Sequence, residues 1–134
     1  MDTYPLAFDA QISRSARGHV KEVLTNFGAS DKSINAALLI TSELATNALQ
    51  HGQAPVNITI KTDKEQAPGG GNFVTIGFQD SSEHLPVLVP ITEPGDTVVL
   101  TRGRGLGLCL RLAHQLGWVR TPGGGKCVWV QLKL

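Results

Sequence analysis

The segment that most constrains the fold is 33–51, because Glu43 is its only side chain with a full charge at neutral pH. A helix on a protein surface normally carries several charges on its solvent-facing side. Apolar residues surround Glu43 at helical spacing, and Gly52 follows as a residue that often ends helices. We therefore predict a helix that ends at His51 and is covered on most sides by the rest of the chain.

Glu43 and Asn47 are the two polar residues of this helix that could carry chemistry. They are four residues apart, so a helix places their side chains on one face, one turn apart. An unpaired carboxylate in apolar surroundings is costly to keep ionised, so Glu43 needs a partner or a chemical role. One interpretation is a structural ion pair with a lysine or arginine elsewhere. The other is a functional site, and these residues alone leave both interpretations open.

The composition is that of an ordinary globular domain. The chain has 134 residues, 41% of them hydrophobic, and a net charge of +1. A near-neutral charge argues against a dedicated nucleic-acid-binding protein, which usually has a basic face. No apolar run approaches the roughly 18 residues of a membrane helix, and the N-terminus lacks the features of a signal peptide. We expect one domain, 1–134, in the cytoplasm, with no direct contact to nucleic acid or membrane.

Helices and strands are predicted to alternate along the rest of the chain. A short edge strand over 5–10 and a helix over 12–27 precede the central helix, which Ser30 or Asp31 caps. An antiparallel hairpin follows it, with strands over 56–62 and 73–78. Beyond the hairpin we expect a helix over 108–116 ended by Gly117, a strand over 118–121, a glycine-rich turn over 122–125 and a final strand over 126–134.

The connection over 81–102 differs from the rest of the chain. Pro86, Pro90 and Pro94 are predicted to interrupt every candidate element in it. A connection of this length inside a small domain is usually a functional loop or lid. We therefore predict a lid over the functional site.

Two further features could bind a ligand. Glycines at 103, 105 and 107 open the predicted helix after the lid, and backbone amides at a helix N-terminus can hold phosphate. On its own this pattern is also that of a plain flexible loop, and it is neither a Walker A loop nor a dinucleotide fingerprint. Asp80, at a strand end, could accept a hydrogen bond from a ligand amino group or form a local turn with the loop that follows.

The order of these features resembles the GHKL ATP-binding superfamily, which includes the ATP-binding domains of gyrases and histidine kinases. Residues 42–52 are similar to its N box, 103–107 are similar to its second glycine-rich box, and Asp80 stands where the first box supplies an aspartate. The single-domain form and the ending 125–130, Gly-Lys-Cys-Val-Trp-Val, are most similar to anti-sigma-factor serine kinases and related small bacterial regulators.

The chain departs from that family pattern at two places. Asp80 is followed by Ser-Ser-Glu-His over 81–84, where the family commonly has Gly-x-Gly. Cys127 stands in the last strand where a threonine or serine is common near the phosphates. Both departures bear on nucleotide affinity.

The resemblance implies an α/β fold, a two-layer sandwich of the Bergerat type, with a mixed, largely antiparallel sheet and helices on one face. ATP would lie between helix and sheet under the lid. Asn47 would bind Mg²⁺ through its amide oxygen, Asp80 would accept from the adenine amino group, and Glu43 would be the general base. The remaining nucleotide-binding residues would be Gly103, Arg104, Gly105, Leu106, Gly107 and Cys127.

The activity that the resemblance implies is transfer of the ATP γ-phosphate to a serine or threonine of a partner protein, in the regulation of transcription. The partner would be a sigma factor, its antagonist protein, or both, and the family also allows a homodimer. Two rival functions stay open, because each can retain the N box. One is an ATP-dependent module that sequesters its partner without phosphotransfer, and the other is a simple ATPase with water as the acceptor.

Overall fold

The computed structural model describes residues 2–64, 70–83, 88–90, 98–100 and 111–134. Within them, two helices pack against one face of a five-stranded sheet, which confirms the predicted two-layer α/β sandwich. The elements are β1 (Asp2–Leu6), α1 (Ile12–Phe27), α2 (Asp31–His51), β2 (Val56–Lys64), β3 (Asn72–Asp80), β4 (Leu88–Pro90), β5 (Val98–Leu100), β6 (Gln115–Arg120) and β7 (Lys126–Lys133).

The main sheet has the strand order β1-β2-β3-β7-β6. Each neighbouring pair in it is antiparallel. The predicted hairpin is confirmed as β2 and β3. The short strands β4 and β5 pair with each other in a separate two-stranded sheet.

Both helices have the boundaries that their sequence signals predict. In α1, the buried side consists of Ile12, Ala16, Val20 and Leu24, at strict helical spacing. Its end at Gly28 has a φ of 89°, a left-handed conformation that glycine adopts without strain. The N-cap of α2 is Ser30, whose hydroxyl oxygen accepts the N–H of Ser33 at 3.2 Å.

The core lies between the helices and the face of the sheet that they cover. Helix α2 contacts β3 and β7, and α1 contacts β1 and β2. Alternate strand residues point into this core. They are Val56, Ile58, Ile60, Val74, Ile76, Phe78, Val128, Val130 and Leu132. Among the residues described, neither helix is both long and apolar enough to cross a membrane.

Two predicted boundaries near the sheet edges are wrong. The first strand is an edge strand as predicted, but it spans Asp2–Leu6 because those residues pair with β2. The helix predicted over 108–116 does not reach its predicted end, since Arg111 and Leu112 are helical but β6 begins at Gln115. Gly117 is a strand residue, and a Cβ on it would come within 2.9 Å of the Trp129 ring. Glycine there makes room for the indole.

The predicted lid over 81–102 falls largely outside the described residues. Its described part contains β4 and β5, two strands that were not predicted from the sequence. Of the prolines expected to interrupt elements here, Pro86 and Pro94 lie outside the described residues. Pro90 is the last residue of β4 and lies opposite Val98. A proline has no N–H to give to a neighbouring strand, and it is tolerated in an edge strand.

Candidate functional site

Glu43 and Asn47 lie at the border of the buried side of α2. Ile40, Leu44 and Ala48 are buried in the core, while Glu43 and Asn47 are half-buried. Within the part of the chain that the structure describes, Glu43 forms no ion pair. The structural ion pair considered for Glu43 is therefore not formed with any described lysine or arginine.

The C-terminal end of α2 lies against Asp80. Gly52 caps the helix with a φ of −96°, which any residue can adopt. A Cβ at this position, however, would come within 2.9 Å of the Asp80 carboxylate and 2.5 Å of the Ala48 carbonyl oxygen. Gly52 ends α2 as predicted, and the lack of a side chain lets this end of the helix lie close to Asp80.

Hydrogen bonds fix the loop after α2 to the end of β3. The N–H of Ser81 donates to the carbonyl oxygen of Gln53 at 3.0 Å. The Ser81 hydroxyl donates to the carbonyl oxygen of Ala54. Because Ser81 directly follows Asp80, these bonds hold the end of the helix at a constant position relative to the Asp80 carboxylate.

Asp80 is a buried carboxylate whose oxygens are already hydrogen-bonded. The Lys126 Nζ lies 3.1 Å from both Oδ1 and Oδ2 of Asp80. The N–H of Ser82 donates to Oδ1 at 2.7 Å, which is the local turn considered for Asp80 from the sequence. Both members of the ion pair are only 3% exposed. Lys126 is a partner that was not predicted.

Strand register explains why Lys126 faces Asp80. In the antiparallel pairing of β3 with β7, Asp80 lies directly opposite Lys126. Alternate residues of a strand point to the same side, and Lys126 shares the buried side of β7 with Val128 and Val130. A signal for this was present in the sequence, because Lys126 continues the alternation of the buried apolar residues in the last strand.

A family model described as a histidine kinase-like ATPase domain matches residues 7–132. The chain belongs to this family. A search of the curated proteins found no match. Membership of the histidine kinase-like ATPase family supports ATP as the ligand of this domain.

Cys127 of this ATPase domain lies on the other face of the sheet from Asp80. A Cβ on Gly77 would come within 2.9 Å of the Cys127 Sγ and 2.8 Å of the Thr59 Oγ1, so these groups share the face without helices. The structure does not bring Cys127 to the side of Asp80 and α2. The residue of β7 that does reach that side is Lys126.

Cys127 should react slowly with alkylating reagents. Burial raises the pKa of its thiol, and the negative charge of Asp80 raises the pKa further, so less thiolate is present at a given pH. In a Cys109→Ser variant, the alkylation rate should reach its half-maximum at a higher pH in the folded protein than in urea. At pH 8 the folded protein should react at least about threefold more slowly. Equal pH midpoints in the folded and the urea-unfolded protein would contradict a raised pKa of the Cys127 thiol.

The second glycine-rich box lies outside the described residues. It comprises Gly103, Arg104, Gly105, Leu106 and Gly107. Their contacts with phosphate remain predictions.

The described residues do not by themselves form a complete metal site. No group of three or more histidine, cysteine, aspartate or glutamate side chains in the described ranges could hold a metal ion. Asn47 offers a hard amide oxygen, which suits Mg²⁺. Because Mg²⁺ prefers octahedral oxygen coordination, water and a phosphorylated ligand would supply the remaining positions.

Proposed function

We propose that this histidine kinase-like ATPase domain is a small regulatory protein that transfers the ATP γ-phosphate to a serine or threonine of a partner protein. The observation that carries the proposal is the environment of Glu43. It is a half-buried carboxylate with no ion-pair partner among the described residues, on the helix that ends against Asp80. A structural carboxylate in this setting would be expected to have a cationic partner.

Glu43 would act as the general base of the transfer. An ionised carboxylate has only acceptor oxygens, so it can receive the proton of a hydroxyl that attacks the γ-phosphoryl group. Asn47 lies about 6 Å further along the helix axis, where its amide oxygen would hold Mg²⁺ beside the phosphates. The metal would neutralise the charge of the phosphates. Asn47 would hold the metal in position, and Glu43 would accept the proton.

The proposed partner is a sigma factor or its antagonist in bacterial transcription control. Support comes from the N-box-like segment 42–52 and from the segment 125–130, both of which resemble the anti-sigma-factor serine kinases. A cytoplasmic location and a homodimer belong to the same proposal.

Replacing Asn47 by alanine should weaken Mg²⁺-dependent ATP binding by about tenfold or more, because one contact to a charged group is lost. Calorimetric titration of ATP with and without Mg²⁺ measures this effect. Asn35→Ala is a matched control, since Asn35 is an exposed residue of the same helix. If Asn47→Ala and the parent bind Mg²⁺-ATP equally, Asn47 is not the metal ligand.

The kinase proposal itself is tested by incubating the protein with γ-labelled ATP and a co-encoded candidate partner. Label on a serine or threonine of that partner supports the kinase. Release of labelled phosphate alone supports the simple ATPase. Tight ATP binding with neither product supports the sequestering module.

A further inference from the structure

We propose that Lys126 is a specificity-determining residue, which occupies the acceptor oxygens of Asp80 that the amino group of adenine would need. The protein would then bind nucleotides with little preference for adenine. The inference rests on the proposed nucleotide site, but it concerns only the end of that site where the base would lie.

Both oxygens of Asp80 are occupied by groups of the protein itself. Oδ1 accepts from the Ser82 N–H at 2.7 Å and from Lys126, and Oδ2 is paired with the same ammonium at 3.1 Å. Asp80 is only 4% exposed, and a Cβ on Gly52 would come within 2.9 Å of Oδ2, so little room is left around this oxygen. Three of the roughly four acceptor positions of this carboxylate are therefore in use, and an incoming amino group would have to compete with Lys126.

Displacement of Lys126 is unfavourable because its ammonium is buried. The side chain is 3% exposed, and a buried ammonium that loses its carboxylate partner is strongly destabilised. Adenine cannot compensate, because its amino group and the ammonium are both hydrogen-bond donors at this position. Lys126 therefore competes directly with adenine for Asp80.

A base with a carbonyl in place of that amino group avoids this conflict. An ammonium has three N–H donors, and two of them can serve the two oxygens of Asp80. A carbonyl oxygen at position 6 of a purine could accept the third. Inosine triphosphate differs from ATP by this replacement, together with a proton on the adjacent ring nitrogen, and is therefore the appropriate probe.

The test compares ATP and inosine triphosphate by calorimetric titration of the parent, Lys126→Thr and Lys61→Thr. Threonine suits a strand, keeps a hydroxyl that can donate to Asp80, and is short enough to leave space for a base. Lys61→Thr is the matched control, because it removes the same charge from an exposed strand position. Thermal melting establishes that each variant is folded.

We expect the parent to bind inosine triphosphate at least as tightly as ATP, because Lys126 competes with the adenine amino group and can donate to a carbonyl at the same position. Lys126→Thr should bind ATP about tenfold more tightly than the parent and should prefer ATP to inosine triphosphate by at least about tenfold. Lys61→Thr should behave as the parent.

The proposal would be overturned if the parent bound ATP at least about tenfold more tightly than inosine triphosphate. It would also be overturned if a folded Lys126→Thr had the same ratio of the two affinities as the parent. If Lys126→Thr does not fold, the relative affinity of the parent for ATP and inosine triphosphate decides whether the proposal holds. If the parent binds neither nucleotide, the proposed function fails. In that case the gain of ATP binding in a folded Lys126→Thr would still support the role of Lys126, and no gain would overturn it.

Discussion

Replacing Glu43 by glutamine should reduce phosphotransfer by about a hundredfold or more, the usual scale for loss of a general acid or base. ATP affinity should stay within a few-fold of the parent. The reason is that a general base accepts its proton only during the chemical step, whereas metal and phosphate contacts also stabilise the bound ground state. Glutamine keeps the shape of the side chain but cannot accept the proton. Single-turnover transfer from labelled ATP, with calorimetry on the same preparations, separates the two quantities.

Glu22→Gln provides the matched control, because Glu22 is exposed on α1 and has the same chemistry. Transfer at the parent rate in Glu43→Gln would show that Glu43 is not the base. Loss of ATP binding together with loss of folding would assign Glu43 a structural role. If the parent transfers phosphate to neither protein nor water, the ATP-dependent sequestering module is the better account.

Removing one member of the buried ion pair should cause the largest loss of stability. We expect Lys126→Met and Asp80→Asn each to lower the free energy of unfolding by about 3–5 kcal/mol, because each leaves one buried charge without its partner. The double variant Asp80→Asn/Lys126→Met should be at least as stable as the less stable single variant, since it leaves neither charge uncompensated. Urea unfolding at pH 7 measures all three.

The same sheet contains a matched pair for comparison. Lys61 and Asp63 are 3.9 Å apart at their charged atoms, and their side chains are 57% and 46% exposed. Exposed pairs contribute about 0–1 kcal/mol, so Lys61→Met and Asp63→Asn should have small effects. If Lys126→Met is no more destabilising than Lys61→Met, the buried pair does not hold the end of the sheet together.

Local periodicity was sufficient to predict α1 and α2. The boundaries of α1 and α2 depend on residues next to one another in the chain, such as the Ser30 cap and the left-handed Gly28. The hairpin of β2 and β3 was predicted for the same reason. Glu43 and Asn47 share one side of α2 because helix geometry places them there.

Contacts between distant segments could not be predicted in this way. Asp80 and Lys126 are 46 residues apart, and they meet only because β3 and β7 pair in one particular register. Gly117 was taken for a helix end because glycine serves that purpose often, whereas here it accommodates the ring of Trp129. In both cases the deciding partner belongs to another strand, and only the pairing of the strands identifies it.

The close contact of Gly52 with Asp80 fixes the position of Asp80 relative to the residues of α2. Asn47 lies five residues before Gly52, and the rise of an α-helix places it about 7–8 Å back along the helix axis. Helix geometry therefore determines the distance between Asn47 and the Asp80 carboxylate. A ligand that contacts both Asn47 and Asp80 has to match this distance.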